Sequence, residues 1–438
     1  MTKPTFRECV AYCEFDYVPE GLEEKYVSYE AETDREAELI PREFLNRLLE
    51  RYELPAEARA RMEEALEEIE GDGVLLPFTK FLVKTLCAAR NDCDPAPYTV
   101  MTPGCMKRHG EWYSFLLLLA CVEPSVKRLE SRGVPLADYE NIPHQPLKTQ
   151  LEKIAASGNP AVHDFPWVMN FYTCSIFRLD RFLFIPYRFE SAFSMFRHRE
   201  TNKVAALRHA GETFRSDGQL DGINGVFDAE GRFVSVWDED ETGITANRIN
   251  PLGFVEREPI RIVKREWESA LLKGDLLLAL HIPSGPGYTP ERLKDSMAMA
   301  IEFYGKYFPE MPIKGFWSES WLYDSRLSLV LDAEESRIVQ VQRQLYNYPI
   351  DDGDGMLRYE LFGDRSADPL GGDVPLRTSL QQAAAGYMAT GARFNTLGMI
   401  VLKEDIPAIG GMPYTTLEDL EQFRQAVDSH LRGRDANG

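Results

Sequence analysis

The stretch of sequence that decides the fold runs Asp275-Leu-Leu-Leu-Ala-Leu-His-Ile-Pro-Ser-Gly-Pro-Gly-Tyr-Thr-Pro290. Its first part, residues 275–282, is a continuous apolar run, which is typical of a central strand buried on both faces. Thr289 and Pro290 then predict a helix start, because threonine caps helices and proline suits their first position. The apolar residues that follow keep helical spacing as far as Phe308. The sequence therefore predicts a strand, a glycine-containing loop and a helix over 290–308.

Further elements are predicted on both sides of this unit. Strands are expected at 177–185, 203–209, 260–264, 313–321, 357–362 and 393–403, with a hairpin turn at 228–231. Helices are expected at 333–346, 376–390 and 417–431, and also at 75–90 and 111–130 within an otherwise helical N-terminal region. A proline-containing stretch at 135–160 indicates a loose connection. The sequence thus predicts an α+β protein with a helical domain at 1–155, a mixed α/β sheet domain at 156–405, and a C-terminal helix and tail at 406–438.

The composition limits which binding partners and which cellular compartment are expected. The 438 residues carry 49 basic and 70 acidic side chains, a net charge of −21, so nucleic acid is not an expected partner. The seven cysteines are odd in number and form no Cys-x-x-Cys pair, which favours a reducing compartment over a disulfide framework. The N-terminus lacks the apolar stretch of a signal peptide, and the longest apolar run, Trp112–Val122, is about half the roughly 20 residues that cross a bilayer. We therefore expect a cytoplasmic protein with no membrane partner.

The loop between the predicted strand and helix is a candidate anion site. Gly285 and Gly287 let the backbone approach a ligand closely, and the first N–H groups of the following helix have no intrahelical partner. Such groups suit a pyrophosphate. The alternative is an ordinary strand-to-helix turn that uses glycine and proline for its geometry. The loop is neither a Walker A sequence nor a Gly-x-Gly-x-x-Gly sequence.

Candidate catalytic side chains follow the two central strands. His281 ends the first strand, where it could act as a general base or simply be a hydrogen-bonded part of the strand end. Glu319 ends the next strand, at the edge where α/β sheets bind ligands, and could take a proton from an attacking amine. Ser320 or Tyr323 could return a proton to a leaving thiolate, whereas Asp324 is interpreted as the cap of the next helix.

The sequence offers no metal site that we would predict. The acidic run Asp351–Gly355 fails the EF-hand pattern, because its first and twelfth positions would be Ile350 and Leu361. Cys9 and Cys13 have no nearby cysteine or histidine partner. A Gly-x-Ser-x-Gly elbow, which a serine hydrolase needs, is absent from the sequence.

Several segments, in order along the chain, resemble a family of bacterial acyltransferase domain-containing proteins. These proteins pair a helical N-acyltransferase N-terminal domain with a GNAT-like C-terminal domain. The matching segments are Phe177-Arg-Leu-Asp-Arg-Phe-Leu-Phe184, Leu280-His-Ile-Pro283 with Thr289-Pro-Glu291, Ser320-Trp-Leu-Tyr-Asp324, Ser336-Arg-Ile-Val-Gln-Val-Gln342 and Thr378-Ser-Leu-Gln381. At position 180 this chain has aspartate where the family has glycine.

The resemblance implies transfer of an acyl group, possibly acetyl, from acyl-CoA to an amine. It implies that the loop after the first central strand holds the CoA pyrophosphate, and it transfers this role to Ile282, Ser284, Gly285, Gly287, Tyr288 and Thr289. The usual GNAT loop reads Arg/Gln-x-x-Gly-x-Gly/Ala, whereas this loop has no leading Arg or Gln and contains a proline. The partners implied are a small-molecule acyl donor and an amine acceptor of unknown identity.

Three functional hypotheses follow. The first is direct acyl transfer, with Glu319 or His281 as base and backbone groups near Ile282 polarising the thioester. The second is a GNAT-like module that has lost catalysis and binds a small molecule or a protein. The third is a hydrolase that uses the carboxylates of Glu319 and Asp324, and it has no supporting motif.

Overall fold

A computed structural model describes residues 4–15, 18, 21–29, 38–52, 54–87, 100–135, 141–372 and 374–437. The chain divides into two compact units, Met1–Arg178 and Leu179–Gly438. The change from helices to strands falls close to this division, so the predicted α+β fold, helical first and sheet-containing second, is confirmed.

The first unit is built of helices. They are α1 Phe6–Cys13, α2 Leu22–Ser28, α3 Arg42–Tyr52, α4 Ala56–Glu70, α5 Leu75–Cys87, α6 Tyr113–Ala120, α7 Val122–Ser131, α8 Asn141–Ser157 and α9 Phe165–Tyr172. Residues 88–90, the end of the helix predicted at 75–90, lie outside the described residues. The loose connection predicted at 135–160 is wrong, since α8 occupies residues 141–157; its prolines stand within its first two turns, at or near the positions where a helix tolerates them best.

The apolar run in this unit is a core helix. Every residue of α6 is buried, as the sequence predicted for Trp112–Val122. No helix among the described residues combines the length and the apolar character that a bilayer span would need.

The second unit contains two six-stranded sheets and a two-stranded one. The strands are β1 Phe177–Leu179, β2 Phe182–Arg188, β3 Phe193–His198, β4 Val204–Arg208, β5 Thr213–Phe214, β6 Phe233–Val234, β7 Trp237–Glu239, β8 Gly243–Asn250, β9 Phe254–Val263, β10 Trp267–Leu271, β11 Leu276–His281, β12 Gly315–Ser320, β13 Tyr346–Pro349 and β14 Leu397–Leu402. The first sheet has the order β1-β2-β11-β12-β14-β13, and the second β10-β3-β4-β8-β7 with β9 on β8. In the first sheet β11 and β12 are parallel and the neighbouring pairs β2–β11, β12–β14 and β14–β13 are antiparallel, so the sheet is mixed as predicted.

Helix α10, Pro290–Tyr307, packs its buried stripe against one face of the first sheet. Leu293, Met297 and Ala300 are buried, and the Tyr304 hydroxyl donates to the Phe184 carbonyl over 3.3 Å. The remaining helices of this unit are α11 Arg337–Gln342, α12 Gly355–Phe362, α13 Ser379–Ala389 and α14 Leu417–Asn437. The predicted cap is confirmed, because the Thr289 hydroxyl accepts the Arg292 N–H and Pro290 is the first helical residue.

Three local predictions are wrong. The segment 357–362, predicted as a strand, belongs to α12, because Leu357 is buried while Tyr359 is exposed, a helical rather than an alternating pattern. The helix predicted at 333–346 is only α11, and the chain returns to the sheet at Tyr346. The hairpin predicted around the turn at 228–231 does not form: residues 225–227 are not a strand, and β6 pairs with β5 instead.

The fourth correction concerns the strand predicted at 177–185. It is two strands, β1 and β2, separated by a tight turn at Asp180 and Arg181. Asp180 has a φ of 55°, in the left-handed region that glycine enters most readily. Glycine, the residue that the resemblance gives for this position, adopts the same backbone conformation without strain.

Candidate active site

A seam opens between the two parallel strands at the centre of the first sheet. β11 pairs with β2, and β12 with β14, along their whole lengths. Between β11 and β12 the ladder has only the pairs Leu278–Phe316 and Ala279–Trp317. Beyond these pairs the carboxyl ends of the two strands run without strand pairing to each other, so their facing backbone groups are available to a ligand.

A cleft of about 590 Å³ lies at this seam. The ends of both strands line it, through Leu280–Ile282 on one side and Ser318–Ser320 on the other. The rest of the wall is mostly apolar and comes from the turns and helices that follow β12: Trp321, Leu322, Ile338, Met356, Leu361 and Leu380. A cleft that combines an apolar wall with converging polar groups is the usual form of a small-molecule site.

The loop that leaves β11 contains four N–H groups that make no hydrogen bond within the described residues. Gly285 and Gly287 have φ values of 103° and 97°, which explains the glycine at both positions. The N–H groups of Ser284, Gly285, Gly287 and Tyr288 donate to no acceptor in the described part of the protein. Successive free N–H groups in such a loop form a concave anion site.

The carbonyl oxygens of the same loop bind the guanidinium of Arg181. Its Nε donates to the Pro286 carbonyl over 2.8 Å, and its Nη2 donates to the carbonyls of Pro283 and Gly285 over 2.6 and 2.9 Å. Arg181 is 9% exposed and lines the cleft. A cation therefore stands beside the loop, although the loop itself has no leading arginine.

The turn that carries Arg181 is tied to helix α10. Arg292 donates to the Asp180 carboxylate over 2.6 Å, and the Ser296 hydroxyl donates to its other oxygen over 3.1 Å. The Ser296 hydroxyl also accepts a hydrogen bond from the backbone N–H of Arg181 over 3.2 Å. Asp180 thus fixes the position of its neighbour Arg181 relative to the helix.

The N-terminus of α10 is already satisfied by its own residues. Pro290 has no N–H, and Thr289 accepts the N–H of Arg292. The carboxylate of Glu291 accepts its own N–H and the Thr289 hydroxyl, and these bonds lower its pKa. An anion at this site therefore meets the loop N–H groups rather than the helix end.

Glu319 and His281 lie on the same face of the sheet, on opposite sides of the seam. Ala279 pairs with Trp317, and His281 and Glu319 follow these residues by two positions, so all four side chains share one face. Both line the cleft. Burial of the carboxyl group in the cleft and the negative charge of Asp352 raise the pKa of Glu319, although the residue retains solvent access. Burial lowers the pKa of His281 to about 4, so this imidazole is neutral at physiological pH.

The predicted proton donors differ in their access to the cleft. The Ser320 hydroxyl lines it and also accepts the Leu322 N–H over 3.2 Å. Tyr323 is buried behind the wall, where burial raises its pKa and the Ser318 hydroxyl opposes the shift. Tyr288 lines the cleft, its hydroxyl oxygen is buried, and no described residue bonds to it.

Asp324 is a structural residue, as predicted, and belongs to a buried ion network. Its carboxylate caps the turn at Ser325–Leu329 by accepting the Arg326 N–H over 3.0 Å, and it also accepts the Asn395 N–H over 2.7 Å. Arg326 bridges Asp324 to Asp217, which also binds Arg215. All four side chains are at most 7% exposed. The hydrolase hypothesis therefore loses one of its two carboxylates.

The structure brings together most of the predicted site. His281, Ile282, Ser284, Gly285, Tyr288, Glu319 and Ser320 all line the cleft. Sequence reasoning missed Arg181, although it lies in the segment Phe177–Phe184 that carries part of the family resemblance. It also missed the apolar wall of α11, α12 and α13. Among the described residues, no group of three or more histidine, cysteine or acidic side chains is placed to hold a metal ion.

Comparison with known proteins agrees with this architecture. Residues 176–400 match the family described as "GNAT-like C-terminal domain", and residues 43–174 match the "N-acyltransferase N-terminal domain". No curated protein matches the chain in sequence. Solved structures that resemble it include an acyltransferase mutant with octanoyl-CoA (16% identity, 82% of this chain and 88% of that one, TM-score 0.48). Another is an acyltransferase with decanoyl-CoA and teicoplanin (17% identity, 82% and 87%, TM-score 0.48).

The GNAT-like match alone spans more than half of the chain and coincides with the unit that holds the seam and the cleft. The N-acyltransferase match precedes it without overlap. The chain therefore belongs to the family of acyltransferase-domain proteins that carry a GNAT-like C-terminal domain.

Proposed function

We propose that this protein is an N-acyltransferase that moves an acyl group from an acyl-CoA to an amine. The observation that carries the proposal is the seam between β11 and β12, which ends in a loop with four N–H groups that have no acceptor among the described residues. An elongated ligand that has a diphosphate at one end and amide-containing chain at the other fits both features. CoA is such a ligand.

The donor is held at two places. The free N–H groups of the loop and the positive charge of Arg181 attract its diphosphate. Beyond the pair Ala279–Trp317, the edges of β11 and β12 that face each other are not joined by strand pairing and can offer hydrogen bonds to its amide-containing arm. This arrangement directs the thioester toward the strand ends, where Glu319 and His281 lie.

Glu319 is the proposed general base. The amine nitrogen loses its proton to the Glu319 carboxylate as it attacks the thioester carbonyl, a new C–N bond forms, and the C–S bond breaks. The thiolate then takes a proton from the hydroxyl of Ser320, a residue of the cleft wall, and this hydroxyl regains its proton from solvent. The raised pKa of Glu319 makes it a stronger base than an ordinary glutamate.

Binding of the donor is tested by the melting temperature of the purified protein. CoA and acyl-CoAs are expected to raise it, because a ligand of the folded state stabilises by about 2.7 kcal/mol at a hundred times its dissociation constant. Inorganic sulfate at the same concentration serves as the control for unspecific anion binding. No shift with any CoA derivative at millimolar concentration would refute the proposal and favour a non-enzymatic binding module. If CoA derivatives raise the melting temperature but no amine of a broad panel gives release of free thiol, the protein binds the donor without catalysing acyl transfer.

A further inference from the structure

We infer that Arg181 is a positioning residue that orients the 283–289 loop for a diphosphate. The inference rests on the proposed use of an acyl-CoA and adds the residue that prepares the phosphate site. Arg181 is not part of the loop and comes from the turn between β1 and β2.

The first argument is the direction of the loop carbonyls. A peptide group carries its N–H and C=O on opposite sides, so a bond to one of them fixes the direction of the other. The guanidinium of Arg181 binds the carbonyls of Pro283, Gly285 and Pro286. It therefore draws carbonyl oxygens, which would repel a phosphate, onto one side of the loop.

The second argument concerns the loop N–H groups that remain for a ligand. The carbonyls of Pro283 and Pro286 belong to the peptides whose N–H groups are those of Ser284 and Gly287, and neither donates within the described protein. These N–H groups therefore point away from the guanidinium side of their peptides. The third carbonyl belongs to the peptide bond between Gly285 and Pro286, and this peptide bond has no N–H group because its nitrogen is that of proline.

The third argument is the close fit between Arg181 and the loop. A Cβ atom on Gly287 would lie 3.3 Å from the Cδ of Arg181, so the glycine lets the arginine side chain pass directly under the loop. The ion pair between Asp180 and Arg292 and the hydrogen bond from the Ser296 hydroxyl to the Asp180 carboxylate hold the turn in place. The planar fork of arginine, with five N–H donors, can bind three carbonyls at once, which a lysine ammonium cannot do in this geometry.

The inference is tested by calorimetric titration of the full-length protein with CoA and with pantetheine, which lacks the diphosphate. Arg181→Gln is expected to weaken CoA binding by about tenfold or more, the loss typical of a charge-assisted contact, and to leave pantetheine binding unchanged. Arg181→Lys keeps the charge without the fork and is expected to recover only part of the CoA affinity. Arg188→Gln is the matched control, because Arg188 also donates to a backbone carbonyl, that of Gly274, but is exposed and does not line the cleft.

Unchanged CoA affinity in Arg181→Gln, or an equal loss of CoA and pantetheine, would overturn the positioning role. Wild-type protein that binds neither ligand would instead overturn the proposed function itself. If Arg181→Gln does not fold, Gly287→Ala displaces the loop from an intact arginine, because alanine disfavours a φ of 97°. That variant must then show the selective loss of CoA affinity for the inference to stand.

Discussion

Glu319→Gln is expected to lower kcat by about 10²- to 10⁴-fold, the usual contribution of a general base. Glutamine has nearly the same shape as glutamate and cannot accept the proton of the attacking amine. The Michaelis constants for both substrates are expected to change little, because the exchange leaves the size of the cleft unaltered. Steady-state measurement of thiol release checks the effect. Glu360→Gln is the matched control, since Glu360 lines the same cleft but belongs to α12 and not to a central strand.

The pH dependence separates Glu319 from His281 as the base. Burial and Asp352 raise the pKa of Glu319 above its ordinary value of 4.5, whereas burial lowers the pKa of His281 to about 4. A base works in its deprotonated form, so kcat/KM should fall as the pH drops through its pKa. We expect this fall to lie above pH 4.5 and to disappear in Glu319→Gln. A fall near pH 4 that persists in that variant and vanishes in His281→Gln would assign the base to His281.

The sequence predicted the structural elements around the cleft well because its signals there are local. An unbroken apolar strand, a pair of glycines and a Thr–Pro helix start all lie within residues 275–290. These signals placed β11, the cleft-lining loop and the cap of α10 correctly. The turn at Asp180 was missed because an aspartate with positive φ looks like any other charged residue in a strand. Arg181 was missed because its three acceptors are more than a hundred residues away.

Asp217→Asn is expected to destabilise the folded protein by about 3–5 kcal/mol, the usual loss when a buried ion pair loses one partner. The Asp217 carboxylate accepts hydrogen bonds from Arg215 over 3.2 and 3.1 Å and from Arg326 over 3.1 Å. With asparagine at position 217, only the carboxylate of Asp324 would remain to balance the two buried positive charges of Arg215 and Arg326. Denaturant unfolding measured by circular dichroism gives the free energy directly.

A surface pair provides the control for this prediction. Glu268→Gln removes one partner of the Arg199–Glu268 pair, in which both side chains are about half exposed. Solvent screens such a pair, so its loss should change the free energy of unfolding very little. Similar effects of the two substitutions would mean that water reaches the buried network and that its charges are screened.

The buried network also marks a limit of sequence reading. Asp324 could be identified as a cap because its target lies two residues away. Its connection through Arg326 to Asp217 spans more than a hundred residues and has no local signal. The segment 357–362 failed for a related reason: six residues with alternating apolar positions fit a short strand as well as a helix, and tertiary packing of Leu357 decided the outcome.

The short ladder between β11 and β12 has a mechanical consequence. The first sheet consists of two halves, β1-β2-β11 and β12-β14-β13, that share only two residue pairs. Within each half, β11 pairs with β2 and β12 with β14 along their whole lengths, so a relative rotation of the halves would break the fewest strand-pairing hydrogen bonds along this line. His281 belongs to one half and Glu319 to the other, and such a rotation changes the distance between them directly. A donor that bridges the two strands would lock that rotation, so the geometry of the catalytic pair would be set by the substrate as well as by the fold.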